Sequence, residues 1–172
     1  PIELCQNATT YLQKQFYRKF PPCDMETEYK FASPSTMKPT MQASAPGSLN
    51  QIPPSASISG DIRLTPFYDI DAVVKYMDAC ASALKKDLSV LENTKELGPS
   101  SRFHDVAGVD AKLEFEWLSQ GDVHAFEGIA CDRSSVSFFA LSQAIERSRG
   151  KCVPYSINGS LPLVRDMQRR GF

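Results

Sequence analysis

A long helical period that begins near residue 70 constrains the fold of this 172-residue chain more than any other feature. Asp69 or Asp71 can cap a helix whose apolar residues recur every three or four positions, a period that continues through Asn93. This spacing places the apolar residues on one side of the helix, so the helix has to bury a full stripe against other elements. The stripe consists of Val74, Met77, Ala81, Leu84, Leu88 and Leu91.

A second helix and two strands are predicted elsewhere in the sequence. Residues 2–20 repeat apolar side chains at helical spacing, and Pro21 and Pro22 end that helix. Residues 57–64 alternate between apolar and polar side chains, which predicts a half-buried antiparallel strand. Residues 112–118 alternate again and close a small sheet, with three side chains facing inward: Leu113, Phe115 and Trp117.

The stretch before the alternating strand is expected to be mostly loop. Residues 28–32 are a short strand candidate, whereas residues 33–50 are rich in Ser, Pro, Thr and Met and have neither period. Loops longer than about 12 to 15 residues inside a compact unit are usually functional or mobile. Residues 33–50 are therefore a candidate lid or interface element.

The order of these elements predicts an α+β fold, in which both helices cover one face of a small antiparallel sheet. We place this first domain at residues 1–120. Residues 121–172 change in character, with a helix from Ser134 or Ser135 to Arg149, a strand-like segment and a last helix. These elements have too little to pack against, so they are expected to belong to an incomplete second domain of a longer chain.

Composition excludes several classes of protein. The formal net charge is -1 with 42% hydrophobic residues, which is typical of a globular chain and gives no general attraction to nucleic acid or anionic lipid. No apolar run approaches the roughly 20 residues that cross a bilayer. Five scattered cysteines favour a reducing compartment over a disulfide framework. We therefore expect a cytoplasmic protein without nucleic-acid or membrane partners.

Metal and nucleophile motifs are absent from the sequence. His104 and His124 are the two histidines, and neither has the neighbouring ligands that a metal site requires. Neither accompanies a recognisable Ser or Cys nucleophile. Both are interpreted as surface residues, and no metal or catalytic residue is assigned to this chain.

Three polar positions are candidates for binding a small molecule, each with a simpler alternative. Arg63 projects from the polar face of its strand, where it could clamp a carboxylate or remain a solvated edge residue. Asn50 could donate its amide to a substrate oxygen or hold a turn. Gly159 and Ser160 lie at the mouth of a helix, where they could bind an anion or only cap the helix.

Four segments together resemble one family. They read FASPSTMKP at 31–39, SLNQIP at 48–53, ISGDIRLTP at 58–66 and PYSINGSLPL at 154–163. In this order and spacing they resemble the two-metal amidohydrolases of the M20 peptidase family, and within it the eukaryotic deacetylases of N-acetylornithine. The similarity covers nearly the whole chain. It departs from the family pattern at Pro54, where many relatives have glycine, and at Asn158, where the nearest have threonine.

The resemblance implies an amide hydrolase in which a lid, or dimerisation, domain interrupts an α/β catalytic domain holding two zinc or cobalt ions. Residues 1–120 correspond to the lid and residues 121–172 to the returning part of the catalytic domain. The family's metal ligands and catalytic glutamate would precede Pro1, and a last histidine ligand would follow Phe172. No metal is expected in this chain, and no role passes to His104 or His124.

The resemblance also assigns four substrate-binding residues. Asn50 matches an asparagine that reaches from the lid to the substrate, often in the partner subunit's site. Arg63 matches an arginine that binds the substrate carboxylate, and Gly159 and Ser160 match a turn at the same end of the substrate. The implied substrate is an N-acyl amino acid, with N-acetylornithine favoured and a dipeptidase or carboxypeptidase as alternatives. The implied assembly is a homodimer formed through the lid, and the other alternative is that this chain alone is a non-catalytic dimerisation module.

Overall fold

The computed structural model describes residues 1–91, 112–118, 129–153, 164, 167 and 170–171. Within these ranges the chain forms four α-helices, a two-stranded antiparallel sheet and a short 3-10 helix at Leu88–Val90. The helices are α1 (Ile2–Lys19), α2 (Asp24–Glu28), α3 (Ile70–Lys86) and α4 (Val136–Arg149), and the strands are β1 (Thr36–Ser44) and β2 (Ala56–Arg63). This confirms the predicted small α+β fold.

The described residues group into two compact units. The first consists of residues 1–19, 37–61, 73–91 and 112–118, and the second of residues 20–36, 62–72 and 129–153. The predicted domain boundary at residue 120 lies outside the described residues and stays a prediction.

The first unit is built around α1 and α3. Both helices bury an apolar stripe, in which Phe16, Met77 and Leu84 have no solvent exposure. The prediction for α3 holds in part: Val74 and Leu88 are only half-buried, and Val73 is buried instead of Val74. The Tyr76 hydroxyl on α3 donates to the Gln15 side chain on α1 at 3.3 Å. Burying a large apolar side chain is worth about 1.5 to 3 kcal/mol, so each fully buried side chain of the stripe stabilises the unit by an amount of this order.

The helix predicted through Asn93 ends earlier, at Lys86. The Asp87 carboxylate accepts a hydrogen bond from the Ser89 amide at 2.8 Å and begins the 3-10 helix. An Asp side chain that binds a backbone amide two residues on competes with the continuing helix. The apolar period of the sequence continues past this cap, and Leu91 is still buried although it lies beyond the helix.

Helix α1 also contacts the β-hairpin. The Met37 carbonyl oxygen on β1 accepts from the Gln13 amide at 2.8 Å and from the Tyr17 hydroxyl at 3.2 Å. The Cys5 thiol donates to the Ala56 carbonyl oxygen at the start of β2, at 3.1 Å. These contacts fix both strands of the hairpin against one helix.

The loop predicted over residues 33–50 is wrong, because β1 occupies Thr36–Ser44. Nearly all of β1 is exposed, so the strand has no buried face and leaves no alternating pattern in the sequence. Pro39, which cannot donate to a sheet, also argues against a strand interior. Opposite it, a Cβ on Gly60 would lie 2.9 Å from the Pro39 Cα and closer still to the Lys38 carbonyl oxygen. Glycine at this position lets the two strands approach.

Two other predicted strands do not form. The strand candidate at residues 28–32 is wrong, because residues 24–28 are helical and Lys30 has a φ of 51°, which is incompatible with an extended strand. Residues 112–118 are not in a strand, although Leu113 and Phe115 are half-buried while their polar neighbours are exposed. Trp117, predicted to face inward, is 39% exposed and donates its indole N–H to the Asp78 carboxylate at 2.8 Å.

Helix α4 forms as predicted. The Ser135 hydroxyl accepts from the Phe138 amide at the first turn, and Gly150 ends the helix with a φ of 75°. None of its residues is buried.

Candidate functional site

The structure places Asn50 at the tip of the β-hairpin. The Ala45 amide donates to the Ser55 carbonyl oxygen at 3.0 Å and closes the hairpin. Beyond this pair, the Gln51 amide donates to the Ser48 carbonyl oxygen at 3.0 Å, which forms a turn that contains Asn50. Asn50 is exposed, so its side-chain amide is accessible to another molecule.

The same tip carries apolar side chains. Leu49 is fully exposed and Ile52 is 64% exposed, and Met41 on β1 is exposed to a similar extent. Single exposed apolar residues are common, but three along one hairpin are typical of a contact surface. Asn50 thus lies in sequence between two exposed apolar residues, Leu49 and Ile52, that suit contact with an apolar partner surface.

Arg63 is the last residue of β2 and is exposed. Asn50 precedes the other end of the same strand. A strand rises about 3.3 Å per residue, so the eight residues of β2 span on the order of 25 Å. An acyl amino acid is about as long as two extended residues, roughly 7 Å. The span of β2 is thus more than three times the length of an acyl amino acid.

Directly after Arg63 the chain enters a buried polar network formed by Glu26, Ser35 and Thr65. These residues are 4%, 2% and 0% exposed. One Glu26 carboxylate oxygen, Oε1, accepts from the Thr65 hydroxyl at 2.8 Å, the Ser35 amide at 3.0 Å and the Ser35 hydroxyl at 3.1 Å. The other, Oε2, accepts from the Cys23 amide at 3.1 Å.

Hydrogen bonds from residues that the structure describes satisfy this buried carboxylate. A buried charge is costly unless hydrogen bonds replace its water, and Glu26 receives four. The Thr65 amide in turn donates to the Ser35 hydroxyl oxygen at 3.0 Å. Thr65, two residues beyond Arg63, is therefore held by hydrogen bonds from both its backbone amide and its side-chain hydroxyl.

Aromatic contacts fix the same segment further along. The Phe67 ring lies 5.4 Å from the Tyr29 ring and 5.6 Å from the Phe31 ring. The Tyr68 ring packs edge-on against Phe20 at 5.5 Å, and its hydroxyl donates to the Pro21 carbonyl oxygen. Burial raises the pKa of Tyr68, and the nearby Cys23 and Glu26 raise it further.

Arg133, in the segment before α4, also contacts Glu28 and Tyr29. The Arg133 guanidinium donates to the Glu28 carboxylate at 3.0 Å and to the Glu28 carbonyl oxygen at 2.9 Å. The guanidinium carbon also lies 5.5 Å from the centre of the Tyr29 ring. These contacts connect the segment before α4 with the C-terminal end of α2.

The remaining candidates lie outside the described residues. These are the predicted binding residues Gly159 and Ser160, together with His104 and His124. Among the residues that the structure describes, no group of three His, Cys, Asp or Glu side chains is placed to hold a metal ion. The described residues therefore do not fit a metal centre of their own. In the same part of the chain, no helix is long and apolar enough to span a bilayer.

Glu26 is not among the site residues that the sequence predicts. A local signal exists, because glutamate three residues after an N-cap is typical of a capping box, and Cys23 and Glu26 have this spacing. The partners Ser35 and Thr65 carry no such signal. They are 9 and 39 residues from Glu26, and only the fold brings them together.

Two curated proteins are similar to this chain along nearly its full length. "Acetylornithine deacetylase" from Arabidopsis thaliana is 39% identical over 171 residues, and "Acetylornithine deacetylase" from Dictyostelium discoideum is 38% identical over 177 residues. Each similarity covers 99% of this chain but 37% and 38% of the relatives, so the chain spans a little over a third of their length. No model of a known protein family and no solved structure matches the chain. The predicted resemblance to acetylornithine deacetylases is confirmed.

Proposed function

We propose that this chain, which corresponds along 99% of its length to a segment of proteins named acetylornithine deacetylase, is part of an enzyme that removes the acyl group from an N-acyl amino acid. N-acetylornithine is the favoured substrate. The observation that carries the proposal is this continuous similarity to two relatives with the same name.

In this proposal Arg63 binds the substrate carboxylate. A guanidinium forms two parallel hydrogen bonds with a carboxylate, which fixes the orientation of the substrate as well as its position. Exposure of Arg63 at the end of β2, next to the anchored Thr65, supports this role. Gly159 and Ser160 are proposed to contact the same end of the substrate.

Asn50 is proposed to donate its side-chain amide to the acyl carbonyl oxygen. Amide donors stabilise the negative charge that develops on this oxygen during hydrolysis. Because β2 spans on the order of 25 Å, we assign Asn50 and Arg63 to different active sites of a homodimer. Each site then combines Arg63 of one subunit with Asn50 of the other, and the apolar hairpin tip lies at the subunit contact.

The two divalent metal ions of the proposed enzyme, zinc or cobalt, would be held by residues outside this chain. A second proposal is that the chain alone is an inactive dimerisation module. The exposed apolar side chains of the hairpin, Met41, Leu49 and Ile52, support it. Sedimentation should then give a dimer, and a zinc titration should give no tight binding. A monomer at high concentration or a tight isotherm would contradict this second proposal.

The test of the main proposal is a deacetylation assay of the complete protein that carries this chain, with zinc or cobalt added. Acetate release from N-acetylornithine is expected. Arg63→Ala should lower kcat/KM by thirtyfold or more, because losing one partner of a charged pair costs about 2 to 5 kcal/mol. Arg63→Lys keeps the positive charge but loses the two parallel hydrogen bonds of the guanidinium. Its kcat/KM should therefore lie between the values for the unaltered protein and for Arg63→Ala. No acetate release from the unaltered protein would overturn the proposal.

A further inference from the structure

We infer that Glu26 and Thr65 are positioning residues for Arg63, and that their buried network sets how well the site selects a substrate with a free carboxylate. The inference rests on the proposed role of Arg63. It concerns residues that never touch the substrate and act through the backbone of β2.

The buried network lies immediately beyond Arg63 in the chain. Thr65 lies two residues after Arg63, and the intervening Leu64 is 3% exposed. The Thr65 hydroxyl donates to Glu26 and the Thr65 amide donates to Ser35, so this residue is held from two directions. The backbone at the end of β2 is therefore followed directly by a residue, Thr65, that hydrogen bonds hold in place.

The network carries a desolvation cost that an apolar cluster would avoid. Glu26 is nearly fully buried in helix α2, and four donors from Cys23, Ser35 and Thr65 satisfy its two oxygens. Apolar side chains of similar size would fill the same space without a desolvation cost. A polar network does more than fill space, because its hydrogen bonds fix both distance and direction.

The proposed binding of a carboxylate requires a well-positioned arginine. Two-pronged binding of a carboxylate requires the guanidinium to keep one orientation, and a misplacement of about 1 Å can cost a factor of about 100. Arginine has a long and flexible side chain, so a fixed backbone removes one source of that error. Restraint of the backbone next to Arg63 should therefore increase the affinity of Arg63 for the substrate carboxylate.

The test compares Thr65→Val with Thr65→Ser in the complete protein. Valine has nearly the shape of threonine but lacks the hydroxyl that binds Glu26, whereas serine keeps it. Two substrates are used, N-acetylornithine and its carboxamide, which has no carboxylate. Both variants are also made in an Arg63→Ala background.

Thr65→Val should raise KM for N-acetylornithine about tenfold and leave kcat within about twofold, which is the pattern of lost ground-state binding. KM for the carboxamide should stay within about twofold, and Thr65→Ser should resemble the unaltered protein. In the Arg63→Ala background, Thr65→Val should have no further effect, because the residue through which it acts is gone. Equal loss on both substrates, or the same loss without Arg63, would overturn the inference.

A second measurement does not depend on activity. Hydrogen exchange of the backbone amides at residues 62–64 should be at least about tenfold faster in Thr65→Val than in Thr65→Ser, with no change in α1. Equal exchange in the two variants would overturn the inference even if the enzyme were inactive. If Arg63→Ala alone left the preference for the carboxylate intact, the proposed role of Arg63 would fail instead. The two failures are therefore distinguishable.

Discussion

Arg63, the last residue of β2, and Asn50, in the turn that precedes β2, have contrasting surroundings. Arg63 is followed at once by buried residues whose polar groups are paired with Glu26 and Ser35. Asn50 lies in an exposed turn between apolar side chains that contact little of their own unit. The chain thus positions one proposed binding residue by its own fold, whereas the other depends on a surface that another molecule can cover.

This contrast can be tested through folding stability, and the largest effect is expected at the buried network. Glu26→Ala removes the acceptor of four hydrogen bonds and leaves buried donors unpaired, so it should lower the free energy of unfolding by about 3 kcal/mol or more. Urea unfolding measures the change.

Glu28→Ala is the matched control, because it removes the same side chain from the same helix. The Glu28 side chain is 61% exposed, and its ion pair with Arg133 should contribute less than about 1 kcal/mol. Similar losses for the two variants would show that burial of the Glu26 network does not distinguish this region.

The next largest effect is expected inside the hairpin. Gly60→Val places side-chain atoms against the backbone of Lys38 and Pro39, so the strands must move apart. Overpacking of this kind costs about 1 to 3 kcal/mol. The free energy of unfolding should fall within that range, whereas Ser59→Val, at the neighbouring half-buried position, should cost less. No loss for Gly60→Val would mean that the close approach of β1 and β2 is not required.

A smaller effect is expected where Tyr68 anchors the segment after Arg63. Tyr68→Phe removes the hydroxyl that donates to the Pro21 carbonyl oxygen, which should cost about 0.5 to 1.5 kcal/mol. Because burial and nearby negative groups raise the pKa of Tyr68, the folded state favours the protonated phenol. This contribution is complete below pH about 10 and declines as the pH rises through the folded pKa.

Urea unfolding at neutral pH and above pH 10 measures this dependence. The difference in stability between the unaltered protein and Tyr68→Phe should shrink at the higher pH. A difference that grew with pH would contradict the raised pKa.

The smallest effect on stability is expected at the hairpin tip. Asn50→Ala changes an exposed turn residue and should alter the free energy of unfolding by no more than about 0.5 kcal/mol. The same variant should lower kcat by about 100-fold in the complete protein, as does loss of an oxyanion donor elsewhere. Loss of stability without loss of activity would reverse the proposed contrast between Asn50 and Arg63.

The sequence predicted those parts of the fold that bury one face. Helices α1 and α3 show their apolar stripes directly, and Ser135 and Gly150 mark the ends of α4. Strand β1 escaped prediction because an exposed strand has no buried face to create an alternating pattern. The end of α3 was placed too late because the stripe continues through Leu91 after Asp87 has ended the helix.

The candidate site was less predictable than the fold. Asn50 and Arg63 were identified through motifs, and the structure places both on the surface. Glu26 was missed because its role depends on Ser35 and Thr65, which are distant in sequence. Periodicity reports which face of an element is buried, but it does not report which polar groups meet there.

The most direct test of the central claim is to mix two variants of the complete protein that each retain only a few per cent of its activity or less. If each site takes Arg63 from one subunit and Asn50 from the other, a dimer of one Asn50→Ala and one Arg63→Ala subunit has one intact site and one doubly altered site. Random pairing of equal amounts should then restore about a quarter of the unaltered activity toward N-acetylornithine. No recovery after subunit exchange, with mixed dimers confirmed by mass, would mean that one subunit supplies both residues and would contradict the account.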